Sequence, residues 1–432
     1  MRQTSIPSRA LSATRSEYRG VSRSRIVGVA IDPAKTFHKV LIFDFNLDIL
    51  EGPFDIDVLR SGLEHLLAAI ERARRLRGAK RVVIGLEASG AFSWTLSREL
   101  ATRFEHVYMF NPLTVFTARK GKLLLGQKTD AIDVAVIGDL LVRGQGYPLR
   151  RLEPVYVMLQ ELAYWRHHKV NLMVKLKQQI ADRFEKLYPG ITITSNGTKR
   201  LIAEVNRSSF SAAVVQAGLT PQAILRLSPA QLHAHLRPYR WLRAKPSAVR
   251  IHASMAQVIP PPESIAELEL ALLQRDFRTL KVLQQEIDPV EQQMTALVAQ
   301  TPGRWLLGQL RGLTETLVAT YIGMVGNPAD FPSAKHVYSM AGLVPREQQS
   351  GKSRRRVGGV TKAGRKLLRT VLFQIASSVV LHEPGFRMYF QRLRREQKKP
   401  YKTALIATCN KLNRTLIALM RNQQPFRRGE TA

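Results

Sequence analysis

The chain has 432 residues, 45% of them hydrophobic, which is enough for two or three globular domains and excludes an intrinsically disordered chain. Lys and Arg number 66 against 33 Asp and Glu, and the net charge of +33 predicts a polyanionic partner. The single cysteine excludes a disulfide framework and a cysteine-based zinc cluster, and no apolar run reaches the roughly 18 residues of a membrane span.

The amino-terminal third alternates strand and helix patterns after a tail rich in Arg and Ser. Residues 1–24 predict a disordered basic tail, although a mitochondrial transit peptide has a similar composition. The next segment, residues 25–150, predicts five strands and three helices. The strands are 25–32, 38–45, 49–56, 81–87 and 106–111, and the helices are 58–76, 91–104 and 128–142. This order, with three strands before the first helix, is that of a ribonuclease-H-like domain.

Four carboxylates stand out in so basic a chain. Asp32 and Glu87 end separate predicted strands, while Asp130 and Asp133 are three residues apart on one face of a predicted helix. Converging carboxylates can bind two Mg²⁺ ions, and such a pair stabilises the attacking and leaving oxygens of phosphoryl transfer. Taken singly, Asp130 could instead belong to a helix N-cap and Glu87 to a solvated strand end. The four together favour a metal site that acts on nucleic-acid phosphates.

The middle of the chain, residues 151–300, predicts an almost wholly helical linker. Its apolar residues recur at heptad-like spacing, which indicates either ordinary helix packing or a coiled coil between protomers. Pro289 is expected to interrupt this pattern and to restart the helix at its first position. The seam consists of Leu273, Phe277, Leu280, Leu283, Ile287, Val290, Met294 and Leu297.

The carboxyl-terminal segment, residues 301–425, contains a serine within a dense run of cations. Ser350 precedes Gly351, and a serine hydroxyl becomes a nucleophile when a base, a metal or nearby positive charge activates it. The surrounding cations could bind phosphates and stabilise transition-state charge. The alternative is an RNA-binding loop in which Ser350 is an ordinary turn residue. The candidate nucleic-acid contacts are Lys352, Arg354, Arg355, Arg356, Lys362, Arg365, Lys366 and Arg369.

Seven sequence blocks between about residue 25 and about residue 420 resemble the DEDD transposases of the insertion-sequence-110 (IS110) family, relatives of the Piv pilin-gene invertase. The resemblance implies a RuvC-like amino-terminal domain, a helical and coiled-coil middle region and a mainly helical transposase domain. The blocks are Gly28-Val-Ala-Ile-Asp32, Glu87-Ala-Ser-Gly90, Asn111-Pro112, Lys128-Thr-Asp-Ala-Ile-Asp133, Ala341-Gly-Leu-Val-Pro345, Gln349-Ser-Gly351 and Lys362-Ala-Gly-Arg-Lys-Leu-Leu-Arg369.

The same resemblance implies a mechanism and a set of partners. Asp32, Glu87, Asp130 and Asp133 would bring Mg²⁺ to a DNA phosphate that Ser350 attacks, leaving a phosphoserine-linked DNA end. A noncoding bridge RNA would pair with donor and target DNA, so that base pairing reads sequence while the protein reads backbone and shape. We expect a homo-oligomer, either a dimer or a tetramer, in the cytoplasm of a prokaryote and associated with its nucleoid. The serine and the acids of one site would come from the same or from neighbouring protomers.

Three other functions fit parts of the sequence. A RuvC-like nuclease such as a junction resolvase would use the acids with water as the nucleophile. A DNA invertase would act without RNA guidance. A generic RNA- or DNA-binding protein would need only the net charge of +33, and its acid cluster would have decayed.

Overall fold

The computed structural model describes residues 20–122, 129–149, 153–189, 205, 208–240, 245–350 and 353–428. Within these ranges, only the backbone is described for residues 121–122, 245–246, 346–350 and 353–358. The chain divides into two compact units, Met1–Arg151 and Leu152–Ala432.

The first unit is built on a six-stranded mixed sheet. The strands are β1 Ile26–Asp32, β2 Phe37–Asp44, β3 Ile49–Asp57, β4 Arg81–Glu87, β5 His106–Phe110 and β6 Tyr147–Pro148. They lie in the order β3-β2-β1-β4-β5-β6. The parallel strands β1, β4 and β5 are central, β2 is antiparallel to both of its neighbours, and β6 is antiparallel to β5. This is a ribonuclease-H-like arrangement and confirms the predicted fold class.

Helices cover both faces of this sheet, which explains why its central strands are continuous apolar runs. Alternate residues of β1 point to opposite faces. Val27, Val29 and Ile31 pack in the core beneath α1 (Arg60–Arg77) and α2 (Ala91–Arg103). Ile26 and Ala30 pack on the other side, under α4 (Asp130–Val142). The helix α3 (Pro112–Lys122), which follows β5, was not predicted.

Two long antiparallel helices, α5 (Pro154–Leu187) and α10 (Glu263–Val298), run through the second unit. The heptad-like seam of α10 faces α5 of the same chain, and a coiled coil between protomers stays a prediction. Ion pairs fix the alignment, since Arg166 contacts Glu291 near one end and Arg183 contacts Glu269 near the other. The predicted interruption at Pro289 is wrong, because α10 continues through it. A proline in a helix interior costs about 3 kcal/mol, and α10 tolerates it within a helix that packs against α5.

Shorter helices form a core at each end of this long pair. One core gathers α6 (Ser209–Gln216), α7 (Pro221–Arg226), α8 (Pro229–Leu236) and α9 (Lys245–Met255). The other gathers α11 (Glu315–Val325), α12 (Ala334–Met340), α13 (Lys366–His382), α14 (Pro384–Arg395) and α15 (Tyr401–Asn422). Among the described residues, no helix is both long and apolar enough to cross a membrane.

An antiparallel hairpin joins α12 to α13 in the second unit. Its strands are β7 (Pro345–Ser350) and β8 (Ser353–Val360). The hairpin was not among the predicted elements, because its strands are made of Gln, Arg and Gly rather than the apolar residues that mark a strand.

Candidate active site

Asp32 and Glu87 end neighbouring parallel strands. Ile31 of β1 stands opposite Leu86 of β4, so the two acids that follow lie side by side at the same edge of the sheet. Strands in a sheet are separated by about 4.8 Å, and both carboxylates are half-buried. The structure therefore brings together the two acids that strand order predicted to converge.

The loops that follow these two acids are joined to each other. The Ser89 hydroxyl donates to the backbone carbonyl oxygen of Pro33 at 3.1 Å. Ser89 belongs to the block Glu87-Ala-Ser-Gly90, and Pro33 directly follows Asp32. This bond fixes the edge of the sheet on which the acids stand, and it gives that serine a structural role.

Asp133 is held by an arginine that the sequence did not suggest as its partner. Arg119 of α3 donates through Nη1 to both carboxylate oxygens of Asp133, at 2.5 and 2.7 Å. The two side chains are only 15% and 7% exposed, so water screens the pair weakly. Since α3 was not predicted, nothing in the sequence placed Arg119 near this acid.

Asp130 is the exposed first residue of α4. The N-cap of that helix is Thr129, whose hydroxyl oxygen accepts a hydrogen bond from the backbone N–H of Ile132 at 3.3 Å. The capping role that might have explained Asp130 is thus filled by its neighbour. Asp130 and Asp133 both lie in the first turn, where the helix dipole favours negative charge.

The structure places only two of the four predicted acids side by side. Carboxylate oxygens are ligands that Mg²⁺ prefers, and Mg²⁺ commonly takes one or two protein carboxylates with substrate phosphates and water. Cation binding by Asp32 and Glu87 stays a prediction. Within the described residues, however, no three acids, histidines or cysteines stand close enough to hold a metal among themselves. The four carboxylates do not converge as expected, and Arg119 occupies both oxygens of Asp133.

Ser350 lies at the end of β7 and belongs to the second unit, whereas the four acids belong to the first. Its backbone pairs with Ser353, the last pair that the structure describes in the hairpin. Residues 354–356 of β8 pair with residues 349, 348 and 347 of β7, so Arg354, Arg355 and Arg356 line the strand beside the serine. Lys352 lies outside the described residues. The predicted roles of these residues in nucleic-acid binding stay predictions.

Two glycines close the base of the hairpin. Gly342 has φ of +66°, and a Cβ there would lie 2.9 Å from the backbone carbon of Lys362. A Cβ on Gly364 would lie 2.3 Å from the carbonyl oxygen of Met340. The backbone N–H of Arg365 donates to that same oxygen at 2.8 Å. The blocks around Ala341-Gly342 and Ala363-Gly364 are thus packed backbone to backbone.

Two of the predicted nucleic-acid contacts also hold this base together. Arg365 donates through Nη1 to the carbonyl oxygen of Met324, and Arg369 donates through Nη1 to that of Ala341, both at 2.9 Å. Each of these bonds uses one nitrogen of a guanidinium that carries five N–H groups. Lys362 and Lys366 are exposed beside them. Phosphate binding by these four residues stays a prediction.

Comparison with known proteins agrees with these features. Residues 29–189 match a family model for DEDD-type transposases of IS110, and residues 305–391 match a model described as the transposase IS116/IS110/IS902 family. The four acids lie in the first matched segment and Ser350 in the second. The chain belongs to the IS110 family of transposases.

Individual relatives of this IS110-family chain cover different parts of it. It is 24% identical over 375 residues to the insertion element IS110 uncharacterized 43.6 kDa protein of Streptomyces coelicolor, covering 83% of this chain and 85% of that protein. It is 35% identical over 123 residues to the pilin gene-inverting protein of Moraxella lacunata, and it spans only 38% of that relative's length. The T. thermophilus RuvC structure in complex with a Holliday junction substrate is 17% identical over 28% of this chain, with a TM-score of 0.21. That score is too low to bear on the fold, which rests on the strand order.

Proposed function

We propose that this protein cuts and rejoins DNA strands to move an insertion sequence, with Ser350 as the nucleophile. The observation that carries the proposal is that Asp32 and Glu87 follow the paired residues Ile31 and Leu86 at the same edge of a ribonuclease-H-like sheet, in a chain of net charge +33. Membership of a transposase family supports the same reaction class.

The chemistry divides into two transfers. The Ser350 oxygen attacks the phosphorus of a DNA phosphodiester, the bond from phosphorus to the leaving sugar oxygen breaks, and the serine proton passes to that oxygen through a base. The product is a phosphoserine-linked DNA end. A hydroxyl of the second DNA strand then attacks the same phosphorus and releases the serine, which recovers its proton. The number of phosphodiester bonds is conserved, so no external energy source is required.

Asp32 and Glu87 are the residues that would hold a divalent cation, for which we propose Mg²⁺. Such an ion supplies positive charge beside a phosphate when it is bound. Asp130 is exposed and free of the constraint that Arg119 places on Asp133, so it is the third acid that could move toward the pair. A second ion would require Asp133 as well, and therefore the release of Arg119.

We further propose that a noncoding bridge RNA guides the protein to donor and target DNA. Base pairing would read sequence, and the protein would bind the nucleic-acid backbone. The excess of 33 cations supports a large phosphate-binding surface. Donor DNA, target DNA and RNA together demand more such surface than one duplex, and an assembly of two or four chains would provide it.

One observation favours a second candidate, a DNA invertase that acts without RNA. The identity of 35% with the pilin gene-inverting protein exceeds the 24% found with the IS110 protein, although it covers only 123 residues. Omitting the RNA from a cleavage reaction distinguishes the two candidates. Undiminished cleavage in its absence would favour the invertase.

A covalent-adduct assay tests the nucleophile. Wild-type protein with end-labelled DNA should give a labelled species on a denaturing protein gel. Ser350→Ala and Asp32→Asn should abolish it, whereas Ser353→Ala, a change in the cross-strand neighbour of Ser350, should leave it intact. An adduct that survives Ser350→Ala would exclude this serine. Cleavage without any adduct would instead indicate a nuclease that uses water.

A further inference from the structure

A cavity of about 710 Å³ opens in the first unit near the ends of β1 and β4, on the face of the sheet covered by α1 and α2. Alternation along these strands directs Asp32 and Glu87 to the opposite face, so a nucleic-acid strand would cross the end of the sheet to reach both. It lies between the loop joining β1 to β2, the start of α1 and the first turns of α2. Ala34 in its wall comes two residues after Asp32, and Ala91 comes four residues after Glu87. The volume falls within the range of small-molecule sites in proteins.

The floor of this cavity is apolar, and an aromatic ring lies at its rim, while polar and charged side chains line the rest of the wall. Ile56 and Leu96 are almost fully buried in the floor, and Leu63 and Leu67 of α1 are half-buried beside them. Phe92 also lines the cavity and is 47% exposed, so its ring meets solvent at the opening. An apolar slot with an aromatic edge suits a flat heterocycle that can stack.

A buried histidine supplies a directional donor to this slot. His38 is 4% exposed, and its Nδ1 accepts a hydrogen bond from the backbone N–H of Ala34 at 3.2 Å. An accepting Nδ1 places the ring hydrogen on Nε2. Within the described part of the chain, that Nε2–H has no partner and is not sealed from solvent. Burial lowers the pKa of His38 and outweighs the charge of Asp57, which acts to raise it. The lowered pKa favours the neutral ring.

Three cations and three carboxylates line the cavity, and they differ in how far they are already paired. Asp57 is occupied, because its carboxylate accepts from the backbone N–H groups of Leu59 and Gly62 and from the Ser61 hydroxyl. Glu99 is paired with Arg103 at 2.7 Å. Among the described residues, Lys35 and Arg60 make no ion pair, and both are exposed. The three carboxylates of the lining balance its three cations, so a phosphate would be bound by these two unpaired side chains rather than by a net positive charge.

We propose that this cavity binds an unpaired nucleobase of the DNA strand whose phosphate reaches the Asp32 and Glu87 edge. The base would stack on Phe92 and accept a hydrogen bond from His38 Nε2–H, and its flanking phosphates would lie near Lys35 and Arg60. Enzymes that act on DNA commonly take a base out of the helical stack into such a pocket. The inference rests on the proposed function, because that function places the DNA strand at the edge that carries Asp32 and Glu87. An apolar side chain of a protein partner is the competing occupant.

Photo-crosslinking of the full-length protein tests this assignment without requiring cleavage. The probe is a thymidine strand of about 12 nucleotides that carries one 5-iodouracil, a length within single-strand site sizes. Tandem mass spectrometry of the digest then locates the crosslinked residue. We expect the base to crosslink at Phe92 or His38. Thr95→Trp, which fills the cavity from the exposed face of α2, should reduce the yield there by at least about tenfold.

A matched control lies on the same helix. Trp94 is 46% exposed, close to the value for Phe92, but it does not line the cavity. Trp94→Ala should keep the crosslink in the cavity and Phe92→Ala should lose it. A crosslink at Trp94 with none in the cavity would overturn the proposal, as would a yield that Thr95→Trp leaves unchanged, and either result would favour a protein side chain as the occupant. The thymidine strand holds no cleavage site, so loss of the covalent adduct in its separate assay would not alter this result.

Discussion

Arg119 and Asp133 form a two-point ion pair that joins α3 to α4, with both hydrogen bonds made by one guanidinium nitrogen. Both side chains are largely withdrawn from water. The pair therefore has two consequences, one for the stability of the first unit and one for the availability of Asp133 to a cation.

Removing the arginine should destabilise the first unit. Arg119→Ala leaves a nearly buried carboxylate without its partner, a loss of about 3–5 kcal/mol. Arg103→Ala breaks the exposed pair with Glu99 and should cost less than about 1 kcal/mol. Urea denaturation of the two variants provides the comparison. If the two variants lost the same free energy of unfolding, the Arg119 pair would be more hydrated than its burial indicates.

The same variant should respond to Mg²⁺. With Arg119 absent, the Asp133 oxygens become available, so Mg²⁺ should raise the melting temperature of Arg119→Ala more than that of the wild type. Adding Asp133→Asn to Arg119→Ala should remove the extra increase. Identical shifts in wild type and Arg119→Ala would show that Arg119 does not compete with the ion.

The close approach at the hairpin base predicts that replacement by alanine destabilises the protein much more at one of two glycines than at the other, although their backbone geometry is similar. Gly342 and Gly308 have φ of +66° and +72°, but a Cβ on Gly308 would meet nothing within 4 Å. Gly308→Ala should cost about 1–2 kcal/mol for its backbone alone. Gly342→Ala should cost more, since it also forces apart the backbones of residues 342 and 362. Denaturation midpoints compare the two, and the covalent-adduct assay should show a lower yield for Gly342→Ala only.

The lowered pKa of His38 predicts that the stability of the protein depends on pH. Burial lowers its pKa below the ordinary value of 6.5 that applies to the unfolded chain. The unfolded state then binds more protons between these two values, so the free energy of unfolding falls as the pH drops through 6.5 toward the lowered pKa. The contribution is fully present above 6.5. Unfolding curves between about pH 7.5 and about pH 5.5 should show a smaller loss for His38→Gln than for the wild type. A parallel loss in both would assign the effect to other groups.

Neutralising Arg354, Arg355 and Arg356 together should weaken nucleic-acid binding and flatten its dependence on salt. Each lost phosphate contact removes about 0.9 from the slope of log affinity against log salt for duplex DNA. Fluorescence anisotropy at several salt concentrations measures that slope. Neutralising Arg74 and Arg75, which contact Glu71 on α1, is the comparison and should change it less. An unchanged slope in the triple variant would place these arginines on a solvated face.

Five of the six strands of the sheet were predicted from the sequence to within two residues at each end, and β4 was predicted with its bounds at 81–87. The reason is physical, because a strand covered on both faces is a continuous apolar run. The short strand β6 was not predicted. The hairpin strands are polar and lack such a run, and α3 begins at Pro112 with no clear apolar stripe. The contact between Arg119 and Asp133 depends on both α3 and the packing of α4, so it could not be read from residue order. The seam of α10 was visible, but not that its partner is α5.

The length of the hairpin sets the distance between its base and Ser350. From the pair of Pro345 with Val360 to the pair of Ser350 with Ser353, β7 advances five residues, which corresponds to about 17 Å. Because the glycine contacts anchor its base, strand length decides how far the Ser350 backbone stands from the packed part of its unit. Removing two residues from each strand would draw it back by about 7 Å while leaving the serine and its flanking sequence unchanged. The distance of Ser350 from the packed part of its unit can therefore be varied separately from the serine and the residues that flank it.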